Sequence, residues 1–143
     1  LIGDGSRLEQ YKASVANFGL KGQVEFTGWL SNCEIQKLVA QSNLGLFPSR
    51  IESFGLSVVE AMAAGLPIVT ASGGAIPENV KDGVTGMLVP INNPDALTKE
   101  IISALENPQR AESLAKAAKM EVQKKFIWDK TADSVINLYQ SAL

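Results

Sequence analysis

The sequence predicts a three-layer α/β fold, a parallel sheet with helices on both faces. Three observations carry that expectation. Candidate strands alternate with candidate helices along the whole chain. The strands are short and apolar at consecutive positions, with no polar alternation to suggest a wet face. Short links join strand to helix, and in such sheets ligands bind at the carboxyl ends of the strands.

The elements follow in order. Leu1-Ile2-Gly3 reads as the end of a strand, turning at Asp4-Gly5 into a helix over Ser6–Phe18 that Gly19 stops. Val24–Phe26 reads as a short strand after the Lys21-Gly22 turn. Ser31–Glu34 (SNCE) is a capping-box pattern, so a helix is expected from there to about Gln41. Asn43–Phe47 reads as a buried strand closed by Pro48-Ser49, and Gly55–Ala64 as a helix ended by Gly65. Pro67–Thr70 is the next strand, followed by the glycine-rich loop SGGAIPE, the turn KDGVTG and a strand at Met87–Val89. Asn93-Pro94-Asp95 puts a cap, a first-turn proline and an acid in the order that starts a helix, here to Glu106. Pro108 starts another, to about Phe126. A last helix begins near Trp128, with Ala132, Val135, Leu138 and Tyr139 at helical spacing.

Composition narrows the function classes. With 143 residues, 45% hydrophobic and 20% charged, the chain fits one globular domain over residues 1–143. A net charge of −2 argues against a nucleic-acid partner, which calls for a basic stripe. No apolar run reaches transmembrane length and no basic-then-apolar leader opens the chain, so a cytoplasmic location is expected. The chain has no histidine, so no mechanism can rest on a histidine base or ligand. Cys33 is a lone cysteine and reads as a small helix residue. The sequence opens without methionine on what reads as a strand end, and is expected to be a piece of something longer.

One segment asks for chemistry. From Ser53 through Pro77 the only charge is Glu60. It falls in a helix that looks apolar nearly all round, where a buried carboxylate needs a partner. A structural ion pair is one answer, and burial alone favours it. But no Lys or Arg lies within nine residues of Glu60. The helix start at Phe54-Gly55-Leu56 offers free amides suited to an anion. A carboxylate one turn behind such a start can hold both hydroxyls of a ribose, and Glu52, on the approach side, can accept from sugar hydroxyls. A ligand carrying phosphates, a ribose and a second sugar would satisfy all three groups.

These residues resemble a known family. Glu52 and Glu60, with seven residues between them, resemble the E-x7-E signature of retaining glycosyltransferases of the GT-B fold. LIGDG at Leu1–Gly5, VEFTGWL at Val24–Leu30, the run from Leu46 to Glu78 and DGVTGMLVP at Asp82–Pro90 resemble that family's blocks in the family's order. FIW at Phe126–Trp128 and the Leu138-Tyr139 pair resemble its C-terminal helix.

The resemblance implies a Rossmann-like C-terminal, donor-binding lobe of an enzyme that takes a nucleotide-diphospho-sugar and keeps anomeric configuration. Glu52 would be the catalytic carboxylate beside the transferred sugar. The amides of Phe54, Gly55 and Leu56 would hold sugar and phosphates, and Glu60 the ribose. Gly73 and Gly74 would lie near the donor. Trp29 and Leu30 fall where the family cradles the base, although Trp29 reads equally as plain core. No Asp-x-Asp motif is present, so neither metal nor cofactor is expected. The acceptor would be held by an N-terminal lobe outside this chain, leaving peripheral membrane association through that lobe open and the present chain alone inactive. Where the family commonly has two glycines before x-Pro-Glu, this chain has Gly74-Ala75. The alternatives are a non-catalytic nucleotide-sugar-binding or interaction domain, and a related GT-B epimerase.

Overall fold

The computed structural model describes residues 1–141. They form two compact units, Leu1–Leu38 and Val39 onward.

The first unit holds helix α1 (Leu8–Asn17) and most of α2 (Asn32–Gln41). The expected strand at Val24–Phe26 does not form as a ladder. The chain is extended there and exchanges hydrogen bonds with the first residues, Leu1 N to Glu25 O at 2.7 Å and Thr27 N to Leu1 O at 3.0 Å. Pairing registers only as bridges from Ile2 and Gly3 to Gly28, where positive φ turns the chain away. Helix α1 starts two residues later than expected because Ser6 and Arg7 form a turn, with Leu8 N donating to Gly5 O. The capping box forms as read. Ser31 N donates to a Glu34 carboxylate oxygen at 2.8 Å, and Glu34 N returns to Ser31 Oγ at 3.4 Å.

The second unit contains β1 (Gly45–Phe47), α3 (Leu56–Ala64), β2 (Ile68–Ala71), α4 (Ile76–Asn79) and β3 (Met87–Val89). Three long helices follow, α5 (Pro94–Glu106), α6 (Pro108–Lys125) and α7 (Trp128–Ser141). The strands lie in the order β1-β2-β3 and every pairing is parallel, with Leu46 beside Val69 and Thr70 beside Leu88. This is the predicted three-layer arrangement. Alternate residues of one strand feed opposite cores. Ile68 joins Val58, Met62, Ile76 and Ala118 on the α3–α6 face, while Val69 and Ala71 join Met87, Val89, Ala104 and Leu114 on the α5 face.

Asn93 caps α5 as the sequence reads, its Oδ1 accepting from Ala96 N at 2.9 Å. One expectation of burial fails in the sheet. Leu46 of β1 is exposed because α5 packs on β2 and β3 and does not extend over β1. Helix α7 forms where expected, yet none of its described residues is buried and Leu138 and Tyr139 stand open to solvent.

Candidate functional site

The carboxyl ends of β1 and β2 lead into two links, residues 48–55 and 72–75, and the structure presses these links together. Ala75 N donates to Glu52 O at 2.9 Å. A Cβ on Gly73 would fall on the carbonyl of Arg50. On Gly74, at φ +59°, it would fall on the carbonyl of Glu52 and within 2.8 Å of its nitrogen. The close approach is therefore made by Gly73 and Gly74. Ala75, where the family pattern suggests a second glycine, meets the neighbouring link through its amide instead.

Helix α3 begins from Gly55 in the left-handed region, φ +79° and ψ +47°, with no side chain capping its first amides. A Cβ at Gly55 would sit 2.5 Å from Ile76 Cδ1, so α4 also needs a bare backbone there. Gly55 is buried, while Phe54 and Leu56 on either side are exposed. Among the described residues, the N–H groups of Gly55 and Leu56 have no intramolecular acceptor. The start of α3 thus offers uncapped donors on an open face, at the positive end of a nine-residue helix.

Glu60 corrects the sequence reading. It is exposed, on the same side of α3 as Leu56, Ser57, Ala63 and Ala64. Only Val58, Val59, Ala61 and Met62 are buried. Helix α3 is apolar in composition all round but covered on one side, where it packs chiefly against β2 and α6. Among the described residues Glu60 has no ion-pair partner, so the buried structural pair is overturned with the burial that suggested it. Glu52 is half-buried.

The structure brings Glu52, Phe54, Gly55, Leu56, Gly73 and Gly74 to one edge, with Glu60 one turn further along α3. Trp29 and Leu30 belong to the first unit. Trp29 is 81% exposed, which rules out the plain-core reading, and Leu30 is half-buried. A cleft of about 390 Å³ opens on the β3 side of the strand ends, lined by Pro48, Arg50, Val89, Asn93 and Leu97 among others. None of the candidate site residues read from the sequence lines it.

Sequence reasoning missed α4 and the residue it places. Asn79 is 7% exposed, and its Nδ2 donates to Phe54 O at 2.7 Å. Pro77 and Glu78 in the first turn of α4 are helix-start signals that were legible. An asparagine between the buried Ile76 and Val80 signals a polar group in need of a partner.

Residues 1–142 match the family described as "Glycosyl transferases group 1". This chain belongs to the group 1 glycosyltransferases. A D-inositol 3-phosphate glycosyltransferase of Segniliparus rotundus is 33% identical over 99% of the chain, which spans 31% of that protein. An uncharacterized glycosyltransferase of Methanocaldococcus jannaschii is 30% identical over the whole chain, which spans 37% of it. Among solved structures, Anabaena HepE in complex with UDP superposes with a TM-score of 0.88 at 28% identity, over all of this chain and 40% of that one. The same protein has been solved with UDP-glucose. The group 1 chain thus has the fold of GT-B glycosyltransferases, and spans well under half the length of these relatives. Among the described residues no helix is long and apolar enough to cross a membrane.

Proposed function

We propose that this chain is the donor-binding lobe of a retaining, metal-independent glycosyltransferase that uses a nucleotide-diphospho-sugar. One observation carries the reading. Two strand-end links lock together so that the uncapped amides at the start of α3, the half-buried Glu52 and the exposed Glu60 share one edge of a parallel sheet. Amides at a helix start suit a diphosphate. Glu60, exposed and without a cation, is free to accept from the two ribose hydroxyls. Glu52 takes hydroxyls of the sugar as the glycosidic bond to phosphate breaks. The leaving diphosphate is stabilised by fixed donors already in place, so little reorganisation accompanies the charge that develops. The acceptor is held by the remainder of the protein. The UDP and UDP-glucose complexes of HepE support a nucleotide-sugar ligand.

The test is kinetic, in the intact protein. Glu60→Gln removes charge-assisted bonds of about 1.5–3 kcal/mol each, so the donor KM should rise by tenfold or more, with kcat retained. Glu52→Gln should lower kcat as well, since charge develops beside it in the transition state. The melting temperature of Glu60→Gln should stay within about 1 °C of wild type, as for other exposed substitutions. A Glu60→Gln protein that melts normally and keeps its donor KM would remove the ribose role.

A further inference from the structure

The Phe54–Gly55 peptide is held from below by residues far away in sequence. Asn79 Nδ2 donates to the Phe54 carbonyl at 2.7 Å. The other end of that amide is held too, because Lys125 Nζ donates to Asn79 Oδ1 at 3.5 Å and to Glu78 O at 3.2 Å. Lys125 therefore sets which way round the Asn79 amide lies, since a flipped amide would put oxygen against the Phe54 oxygen and nitrogen against an ammonium. The Phe54 ring meets the Phe126 ring edge-to-face at 5.6 Å, and the Lys125 ammonium lies 5.0 Å from the centre of the Phe126 ring. The C-terminal end of α6 thus supports the peptide that opens α3.

A trans peptide points its C=O and N–H in opposite directions, and no cis bond occurs among the described residues. Fixing the Phe54 oxygen on Asn79 consequently fixes the Gly55 N–H on the opposite side of that peptide. That N–H has no intramolecular acceptor among the described residues. Gly55 sits at φ +79°, and a glycine has neighbouring backbone states of similar energy, so its conformation does not by itself hold the peptide plane. The bond from Asn79 does.

We propose that Asn79, oriented by Lys125, is a positioning residue that aims the Gly55 amide at the donor diphosphate. This rests on the reading of the α3 start as the donor site. The experiment is UDP binding by calorimetry in the intact protein, with the Gly55 amide nitrogen chemical shift, which responds to the hydrogen bond accepted by the Phe54 carbonyl, and the melting temperature measured alongside. Asn79→Leu should weaken UDP binding by about threefold to tenfold, the range expected for one hydrogen bond, and move the Gly55 amide resonance. Val80→Ala, which opens a cavity in the adjacent core without touching the Phe54 carbonyl, should lower the melting temperature yet leave the UDP Kd within about twofold. If Asn79→Leu fails to fold, Asn79→Asp keeps the size and removes the donor.

Unchanged UDP affinity in the Asn79 variant would overturn the proposal, as would equal weakening in Val80→Ala. Failure of the donor-site reading looks different. In that case wild type fails to bind UDP, or Gly55→Ala and Glu60→Gln both bind it as well as wild type. The Gly55 amide resonance then decides the positioning alone: a shift in Asn79→Leu sustains it, and an unchanged resonance overturns it.

Discussion

Residues 1–38 and the two strand-end links of the second unit are both rich in glycine, and they use it for different ends. In the first unit Gly19 takes φ +70° after α1 and a Cβ there would meet nothing within 4 Å. Gly74 takes a similar φ of +59°, and a Cβ there would strike the backbone of Glu52. One glycine answers only to its own dihedral angle, whereas the other also answers to a second segment of chain. No residue of α1 or α2 is buried, while the links are anchored on strands whose side chains form two cores. The contrast separates glycine as a chain-turner from glycine as a spacer between two backbones.

That difference can be broken by substitution. Gly74→Ala should cost about 4 kcal/mol or more, because a left-handed penalty is joined by a clash with backbone that cannot rotate aside. A urea midpoint that falls by less than half that amount would mean the two links are free to separate. Gly19→Ala should cost about 1–2 kcal/mol, the dihedral penalty alone. If the two substitutions cost the same, the spacer role assigned to Gly74 is wrong.

The smallest effect belongs to the capping box. Hydrogen bonds from the Ser31 hydroxyl and then the Ser31 amide hold the Glu34 carboxyl below the usual carboxylate range. Because the folded-state value is depressed, the associated stability is complete above the unfolded value and is lost as pH falls through the folded one. Ser31→Ala should therefore flatten the acid side of the stability profile while leaving its shape near neutrality unaltered. Melting curves from pH 7 to pH 3 would show it.

How much was legible from sequence follows from the same distinction. The three strands of the second unit, the cap at Asn93 and the box at Ser31 depend on neighbours a few residues away, and they appear in the structure where the sequence placed them. The edge that gathers Glu52, Gly55 and Gly74 was legible because parallel sheets put their strand-end links together. What was not legible depended on which partner covers which face. Helix α3 has almost no polar residues, so its composition implied burial all round, and only the placement of β2 and α6 shows that Glu60 stands outside. The stripe on α7 has the periodicity of a packed helix, and periodicity cannot say that its partner is absent from residues 1–141. Asn79 was hidden differently: its partner is a carbonyl 25 positions earlier, and no local pattern points there.

The contact of Gly73 and Gly74 with the main chain at Arg50 and Glu52 has a consequence for re-engineering this enzyme class. Because the fit is backbone against backbone, it is indifferent to which side chains stand at positions 50 and 52, but it tolerates no change in the path of either link. Side chains on the edge are open to exchange one at a time. Loop length is not: an insertion between Ser49 and Gly55 would have to be matched by one between Ser72 and Ala75. A graft of this edge from a relative would carry both segments across as a single cassette.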